Sequence, residues 1–181
     1  LVIFDDVYVQ GSQSRQDSRH YFDFFGGLWL EPFDLQSAYD LSRESFELSE
    51  KIHLPVVIRI TNQLLNREDK YKRKTKISNS KKIEKKHKQF IVHPVNWRYQ
   101  LERLKKKQQL AENLVEKINY RFNKGLDKND YGSNPVFVFG CNDVEVGKYK
   151  NKKFKKVNLV TYPLPKKLIL DTCSGEKEIR V

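Results

Sequence analysis

The sequence predicts an α/β fold with a parallel sheet at its centre, and three observations lead there. The short apolar runs at 1–4, 27–30 and 54–61 lack the alternation of a half-exposed strand, as strands covered on both faces do. An amphipathic helical pattern stands between the second run and the third. The order strand, loop, strand, helix, strand is that of a parallel sheet held between helix layers.

Taken in order, Leu1-Val2-Ile3-Phe4 is the first strand and ends in Asp5-Asp6. A polar loop follows, Gly11-Ser12-Gln13-Ser14-Arg15-Gln16-Asp17-Ser18-Arg19. Gly27-Leu28-Trp29-Leu30 is the second strand, stopped by Glu31-Pro32, and Asp34 is placed to cap a helix. Ala38, Leu41, Ser45, Leu48 and Ile52 then recur at helical spacing, with Asp40, Arg43, Glu44, Glu47 and Glu50 forming a wet, acidic face. Leu54 to Thr61 is the third strand, and it carries one charge, Arg59.

Residues 67–90 hold almost no apolar side chain, so they read as a solvated, lysine-rich linker or loop. Order returns at Phe90-Ile91-Val92-His93-Pro94. From Trp97 a long helix runs through Leu101, Leu104, Ala111, Val115 and Ile118, with Gln108 interrupting its stripe and an end near Asn123-Lys124-Gly125. A second α/β unit opens at Pro135: strands at 136–139 and 156–160, a turn at Tyr162-Pro163-Leu164-Pro165, a short helix from Lys166 to Leu170, and a strand beginning at Glu178. The organisation read from this pattern is 1–66, 67–90, 91–132 and 133–181.

Charge divides along the same lines. Lys plus Arg against Asp plus Glu is 5 to 10 in residues 1–66 but 11 to 3 in residues 67–90. The net charge of +12 therefore lies outside the first segment. Cys141 and Cys173, 32 positions apart, have no partners at metal-ligand spacing and read as reduced thiols. No apolar run approaches the roughly 18 residues of a membrane span, and no signal-peptide pattern is visible, so a cytoplasmic protein with no membrane partner is expected. The chain has no Met and opens inside a strand, so it reads as an internal fragment.

In open α/β sheets, ligands bind beyond the carboxyl ends of the strands. The loop 11–19 follows the first strand and concentrates hydrogen-bonding side chains, with two arginines suited to a carboxylate or phosphate. On composition alone it reads first as a polar surface loop in which Asp17 caps the next helix. Arg59 must be paired or reach the sheet edge, and both options stay open. His20, His53, His87 and His93 assemble into no metal or triad pattern. The lysine-rich stretch offers one aromatic, Tyr71, before Phe90, so nucleic acid is not the expected partner. Gly-rich phosphate loops, Gly-Asp-Gly metal-diphosphate motifs and cysteine clusters are missing.

Gln16-Asp17-Ser18-Arg19-His20-Tyr21, Leu30-Glu31-Pro32-Phe33-Asp34, Ala38-Tyr39-Asp40, Phe46-Glu47-Leu48-Ser49-Glu50 and Leu54-Pro55-Val56-Val57-Ile58-Arg59 follow one another in order. Together they resemble the thiamine-pyrimidine-binding (Pyr) domain of the α subunit of the indolepyruvate:ferredoxin oxidoreductase family. Thr161-Tyr162-Pro163-Leu164-Pro165 resembles that family's transketolase-C-like domain. The resemblance implies a partial Pyr domain followed by a partial transketolase-C-like domain. It implies thiamine diphosphate with Mg2+, which adds to the keto carbon of an aryl pyruvate so that CO2 leaves. It also implies [4Fe-4S] clusters that pass electrons to ferredoxin, coenzyme A as acyl acceptor, and a β subunit as partner. On this reading Ser12, Gln13, Arg15, Gln16, Asp17 and Arg19 border the cofactor or the 2-oxoacid, with Arg19 or Arg15 on the substrate carboxylate. The glutamate that activates thiamine is expected upstream of Leu1, and the diphosphate and cluster domains downstream of Val181, so the chain alone is expected to be inactive. Two stretches depart from the family's pattern: Val7-Tyr8-Val9-Gln10 stands where a Gly-Met-His-type run is usual, and Ile60-Thr61-Asn62-Gln63 where a Thr-rich run is usual. A non-catalytic structural or assembly relative is the alternative, and a nucleic-acid-binding protein working through residues 70–90 a further one.

Overall fold

Asp34 starts the principal helix of the first half. Its carboxylate accepts from the Ser37 backbone N–H at 2.7 Å while the Ser37 hydroxyl accepts from the Asp34 N–H at 3.0 Å, a reciprocal cap that satisfies two otherwise orphaned donors. In the computed structural model, which describes residues 1–11, 13–75, 93–124, 135–141 and 155–173, this helix is α2, Leu35–Ile52. It is preceded by β1 (Val2–Asp5), a 3-10 turn (Ser18–Tyr21), α1 (Phe22–Phe25) and β2 (Leu28–Leu30). It is followed by β3 (Val56–Thr61), α3 (Asn62–Leu65), a 3-10 turn at Pro94–Asn96 and α4 (Trp97–Phe122). The remaining elements are β4 (Pro135–Phe139), β5 (Lys155–Leu159), β6 (Thr161–Tyr162) and α5 (Lys166–Cys173).

The α/β class holds, but the main sheet is mixed. Its order is β1-β3-β2-β6, with β1 and β2 parallel to β3 and β6 antiparallel to β2. The segment expected to open a second unit thus supplies an edge strand to the first sheet. β4 and β5 form a separate parallel pair.

Side chains of even number on β2 and β3 face the helices. Leu28, Leu30, Val56 and Ile58 pack with Leu41 and Ile52 of α2, Ala111, Leu114, Val115 and Ile118 of α4, and Val160. The opposite face carries Trp29 and Val57, both buried, with Phe22 meeting Trp29 edge-on at 6.3 Å. Tyr162 lies between Phe22 (5.5 Å) and Phe139 (4.9 Å, stacked), so an aromatic row joins the main sheet to β4. Beneath β5, Val157 and Leu159 pack with Leu168 of α5 in a second core.

One expectation is corrected. β1 is not covered on both faces: it is the sheet's edge, and Val2 and Phe4 are exposed because α2 and α4 reach over β2 and β3 but not over it. The stripe of α4 is buried only in its second half, with Trp97, Leu101 and Leu104 exposed. Residues 70–75 are exposed but not free of the body. The side-chain amide of Gln36 accepts from Lys72 N at 2.7 Å, the Tyr39 hydroxyl accepts from Lys74 N at 2.9 Å, Tyr71 packs on Tyr39 at 5.0 Å, and Lys74 Nζ pairs with Asp40 at 2.7 Å. An outer helix face with hydrogen-bonding side chains and an aromatic ring can hold a segment whose one aromatic is Tyr71. Most of the lysine-rich stretch, Phe90 to Val92, Gly125 and the strand expected at Glu178 lie outside the described residues.

The two halves of the fold meet through buried amides. Asn119, fully buried, accepts from Val160 N at 2.9 Å and donates to Thr161 Oγ1 at 2.6 Å. Asn123 bonds both backbone groups of Asn158, donating to its carbonyl at 2.8 Å and accepting from its N–H at 3.0 Å. These bonds satisfy strand groups between β5 and β6 that would otherwise be buried without partners. Glu116 caps α5 in turn, accepting from the N–H groups of Lys167 and Leu168 at 2.8 and 3.1 Å.

Candidate functional site at the carboxyl edge of the sheet

β1, β2 and β3 run parallel and end on one edge, and charged residues gather there. β1 closes with Asp5 and is followed by Asp6, β2 is followed by Glu31, and Arg59 stands near the end of β3. Arg59 is only 1% exposed. A guanidinium so deep in a sheet cannot stay charged without counter-ions. It has three: Nε donates to Asp5 at 2.5 Å, Nη1 to Glu31 at 2.5 Å, and Nη2 to Asp17 at 3.4 Å. The fork of Arg59 therefore ties the ends of β1 and β2 to the loop that follows β1.

That loop is folded around acceptors rather than left open. Asp6 accepts from the N–H groups of Gln10 and Gly11 at 2.8 and 2.6 Å, and its carbonyl accepts from Gln16 N at 3.1 Å. Asp5 accepts from Ser18 through both the backbone N–H (2.7 Å) and the hydroxyl (2.6 Å). Asp17 caps the following 3-10 turn and takes a bidentate pair from Arg19, Nε at 2.8 Å and Nη2 at 2.5 Å. Arg15 stands 3.8 Å from the same carboxylate. Gly11 sits against the Asn62 amide, and a Cβ there would be crowded at 3.0 Å.

The electrostatics follow from these contacts. The hydrogen bonds from Arg19 hold the Asp17 carboxyl well below the usual carboxylate range, against its partial burial, with the Arg59 charge adding to the effect. The same pairing with Asp17 pushes Arg19 up, so Arg19 is a fixed cation. Glu31 moves the other way: burial raises its carboxyl, and the charges of Arg59 and Arg19 offset this only in part. Burial also raises the Tyr162 hydroxyl, and the Glu31 charge adds to the shift. Glu31 packs so closely on Gly140, at φ 58°, that a Cβ there would overlap its carboxylate.

Several buried polar atoms at this edge have no hydrogen-bond partner: Glu31 Oε2, Thr61 Oγ1, and Oε1 and Nε2 of Gln63. Buried polar groups are ordinarily satisfied, by water or ligand where not by protein. A separate cavity of about 190 Å³ at the end of β1 is lined by Phe4, Asp5, Asp6, Gly11, Gln16, Asn62 and Leu65. The edge therefore offers two fixed cations, a buried carboxyl with a free oxygen, and paired amide donors and acceptors.

Of the residues singled out in the sequence, Arg15, Asp17 and Arg19 come together with Arg59, and Gln16 lines the cavity. Gln13 is exposed, and Ser12 lies outside the described residues. Sequence reasoning passed over Asp5, Glu31, Thr61, Gln63 and Tyr162. The signal for Asp5 and Glu31 was present, since a charged residue in an apolar strand demands counter-ions and both acids directly border neighbouring strands. Among the histidines, His53 ends α2 in the left-handed region (φ 53°) and His93 caps the next turn by accepting from Val95 N at 3.3 Å. Among the described residues, no group of three His, Cys, Asp or Glu side chains can hold a metal ion, and no helix is long and apolar enough to cross a membrane. Cys141 and Cys173 are buried and are not joined in a disulfide.

No family model matches the chain. Among curated proteins it is similar to "Indolepyruvate oxidoreductase subunit IorA" of Methanothermobacter thermautotrophicus, 40% identical over 60 residues, which is 33% of this chain and 10% of that protein. The same subunit of Archaeoglobus fulgidus is 38% identical over 64 residues and that of Pyrococcus horikoshii 36% over 63, each 35% of this chain and 10% of the relative. The matched stretch is about a tenth of the length of these curated relatives. The chain is, over a third of its length, a partial relative of the indolepyruvate oxidoreductase subunit IorA.

Proposed function

We propose that the chain is part of a thiamine-dependent 2-oxoacid oxidoreductase, and that the carboxyl edge of its sheet is one wall of the active site. The observation that carries this reading is the Asp17-held Arg19 beside unpartnered buried polar atoms, in a chain similar to IorA. Residues 1–66 then form the closing half of a Pyr-type domain, and residues 133–181 open a transketolase-C-like one.

The donor set fits the organic end of such a site. Gln63 and Thr61 offer donors and acceptors to a heteroaromatic edge, and Arg19 and Arg15 offer cations to a 2-oxo carboxylate. The described residues include no set for Mg2+ or an iron–sulfur cluster, so none is assigned to either. Thiamine diphosphate supplies the carbanion chemistry when bound. This chain's residues orient and hold protons. Asp17 keeps Arg19 charged and aimed, Arg59 fixes Asp17, and Glu31 keeps a proton at Oε2 to higher pH than an exposed carboxyl does. The substrate class in this reading is an aryl pyruvate, with coenzyme A as acyl acceptor, ferredoxin as electron acceptor and a β subunit as partner.

The test is arylpyruvate-dependent reduction of an acceptor dye by the assembled subunit pair. Arg19→Ala is expected to raise KM for the 2-oxoacid about 100-fold, the loss of a charge-assisted bidentate contact worth about 3 kcal/mol. Thiamine diphosphate affinity is expected to stay unchanged. Unaltered substrate dependence would remove Arg19 from the site, and an inert pair carrying the native sequence would favour a non-catalytic relative.

A further inference from the structure

Another cavity, of about 290 Å³, shares no lining residue with the carboxyl-edge site. Three elements wall it: the start of α2 with Phe33, Asp34, Gln36 and Asp40, the end of α4 with Arg121 and Phe122, and the exposed segment 70–75 with Lys74. Its apolar part is aromatic, Phe33 and Phe122 meeting edge to face at 5.9 Å.

The polar lining is almost entirely spent within the protein. Asp34 takes the Ser37 N–H at 2.7 Å as the cap of α2. The Gln36 amide accepts from Lys72 N at 2.7 Å and donates to Asp40 at 3.2 Å, and the other oxygen of Asp40 pairs with Lys74 Nζ at 2.7 Å. Arg121 Nη1 donates to Glu44 at 2.7 Å, which ties α4 to α2. Arg121 Nη2 is the exception, because it is buried and meets no acceptor. A buried guanidinium N–H without an acceptor is costly, and an oxygen brought in from outside removes that cost. Lys74 stands ready as a second contact. Its ammonium has three donors, one carboxylate holds it, and its side chain is 54% exposed.

Charge decides which anion fits. The lining balances Asp34 and Asp40 against Lys74 and Arg121, with Glu44 on the far side of Arg121. A phosphate dianion would face two carboxylates and find one cationic donor unspent. A monoanion with a flat apolar body meets the same donor and lays that body against the two phenyl rings.

We infer that this cavity binds a small organic monoanion, a carboxylate with an aryl or branched alkyl body, through Arg121 Nη2 and Lys74 Nζ. The inference is independent of the proposed reaction, since it uses none of that site's residues.

Titration of the intact chain with benzoate, followed by amide chemical shifts, tests it. Saturable shifts are expected at Phe33, Lys74 and Phe122, with a dissociation constant of about 1 mM. Inorganic phosphate and uncharged benzamide are expected to bind at least about tenfold more weakly. Arg121→Gln is expected to weaken benzoate binding about tenfold or more. Because Arg121 also ties α4 to α2, a second variant changes only the exposed segment: Lys74→Gln is expected to weaken binding about threefold while circular dichroism and melting stay native. Four results overturn the inference: no saturable shift below about 20 mM benzoate, shifts that gather at Gln16 and Arg19 instead, phosphate binding as tightly as benzoate, or both variants binding as the native chain does.

Discussion

Arg59 and Asp5, 54 positions apart in the chain, share a 2.5 Å hydrogen bond with both side chains 1% exposed. Neither charge is tolerable there alone, so the pair commits β1 and β3 to one register and seats the following loop around the same guanidinium. Arg59→Met is expected to destabilise the fold by about 3–5 kcal/mol, because it leaves Asp5 and Glu31 buried without their cation. Arg59→Lys is expected to recover only part of this, since a single ammonium cannot reach three carboxylates in a fixed fork. Urea denaturation of the two variants measures both.

Asp17 controls the acid limb of stability. Its folded carboxyl lies well below its ordinary value of 3.8, chiefly through the bonds from Arg19. The folded state therefore binds that proton less readily than the unfolded one. The stabilisation is present above pH 3.8 and is lost as pH falls below it. Asp17→Asn is expected to cost about 2 kcal/mol at neutral pH and nearly nothing at low pH. Thermal melts across an acid pH series check the convergence of the two proteins.

Glu31 has the opposite sign. Its folded value lies above the ordinary 4.5 because of burial, so its contribution is complete below pH 4.5 and is lost as pH rises through the folded value. Glu31→Gln keeps an acceptor for Arg59 and cannot ionise. Its stability relative to the native chain is expected to improve steadily as pH rises above 4.5, and parallel curves would refute a raised carboxyl.

Gly140 takes a left-handed conformation with its α-carbon against the Glu31 carboxylate. Gly140→Ala is expected to cost more than about 1–2 kcal/mol, the penalty of that backbone region alone, because the methyl overlaps Glu31 as well. In the Glu31→Ala background the excess is expected to vanish. A double-mutant cycle by chemical denaturation reads the coupling directly.

Asn119 replaces strand pairing where β5 passes into β6. Asn119→Leu, of similar volume, is expected to destabilise by about 2–3 kcal/mol, since Val160 N and Thr161 Oγ1 lose a partner in the interior. Hydrogen exchange at the Val160 amide is expected to quicken well beyond what the global loss explains.

Local rules account for what could be read from the chain alone. The Asp34 cap, the stripe through Leu41 and Ile52, the apolar runs of β2 and of β3 around Arg59, and the helix of α4 all follow from local spacing and side-chain type. So did the placement of loop 11–19 beyond the end of β1, and the requirement that Arg59 find an anion. The resemblance to the IorA family was likewise legible, because it rests on order along the chain.

Tertiary structure alone decided which anions Arg59 found, because Asp5, Asp17 and Glu31 are separated from it by 54, 42 and 28 positions. It also decided that Trp97 and Leu104 stay in solvent while Val115 does not, for one stripe cannot say where the sheet beneath it ends. Asn119 and Tyr162 belong to the same class, a polar helix residue and a turn tyrosine whose roles exist only once β6 joins β2. Periodicity reports which face of an element is apolar. What that face meets is set by long-range packing.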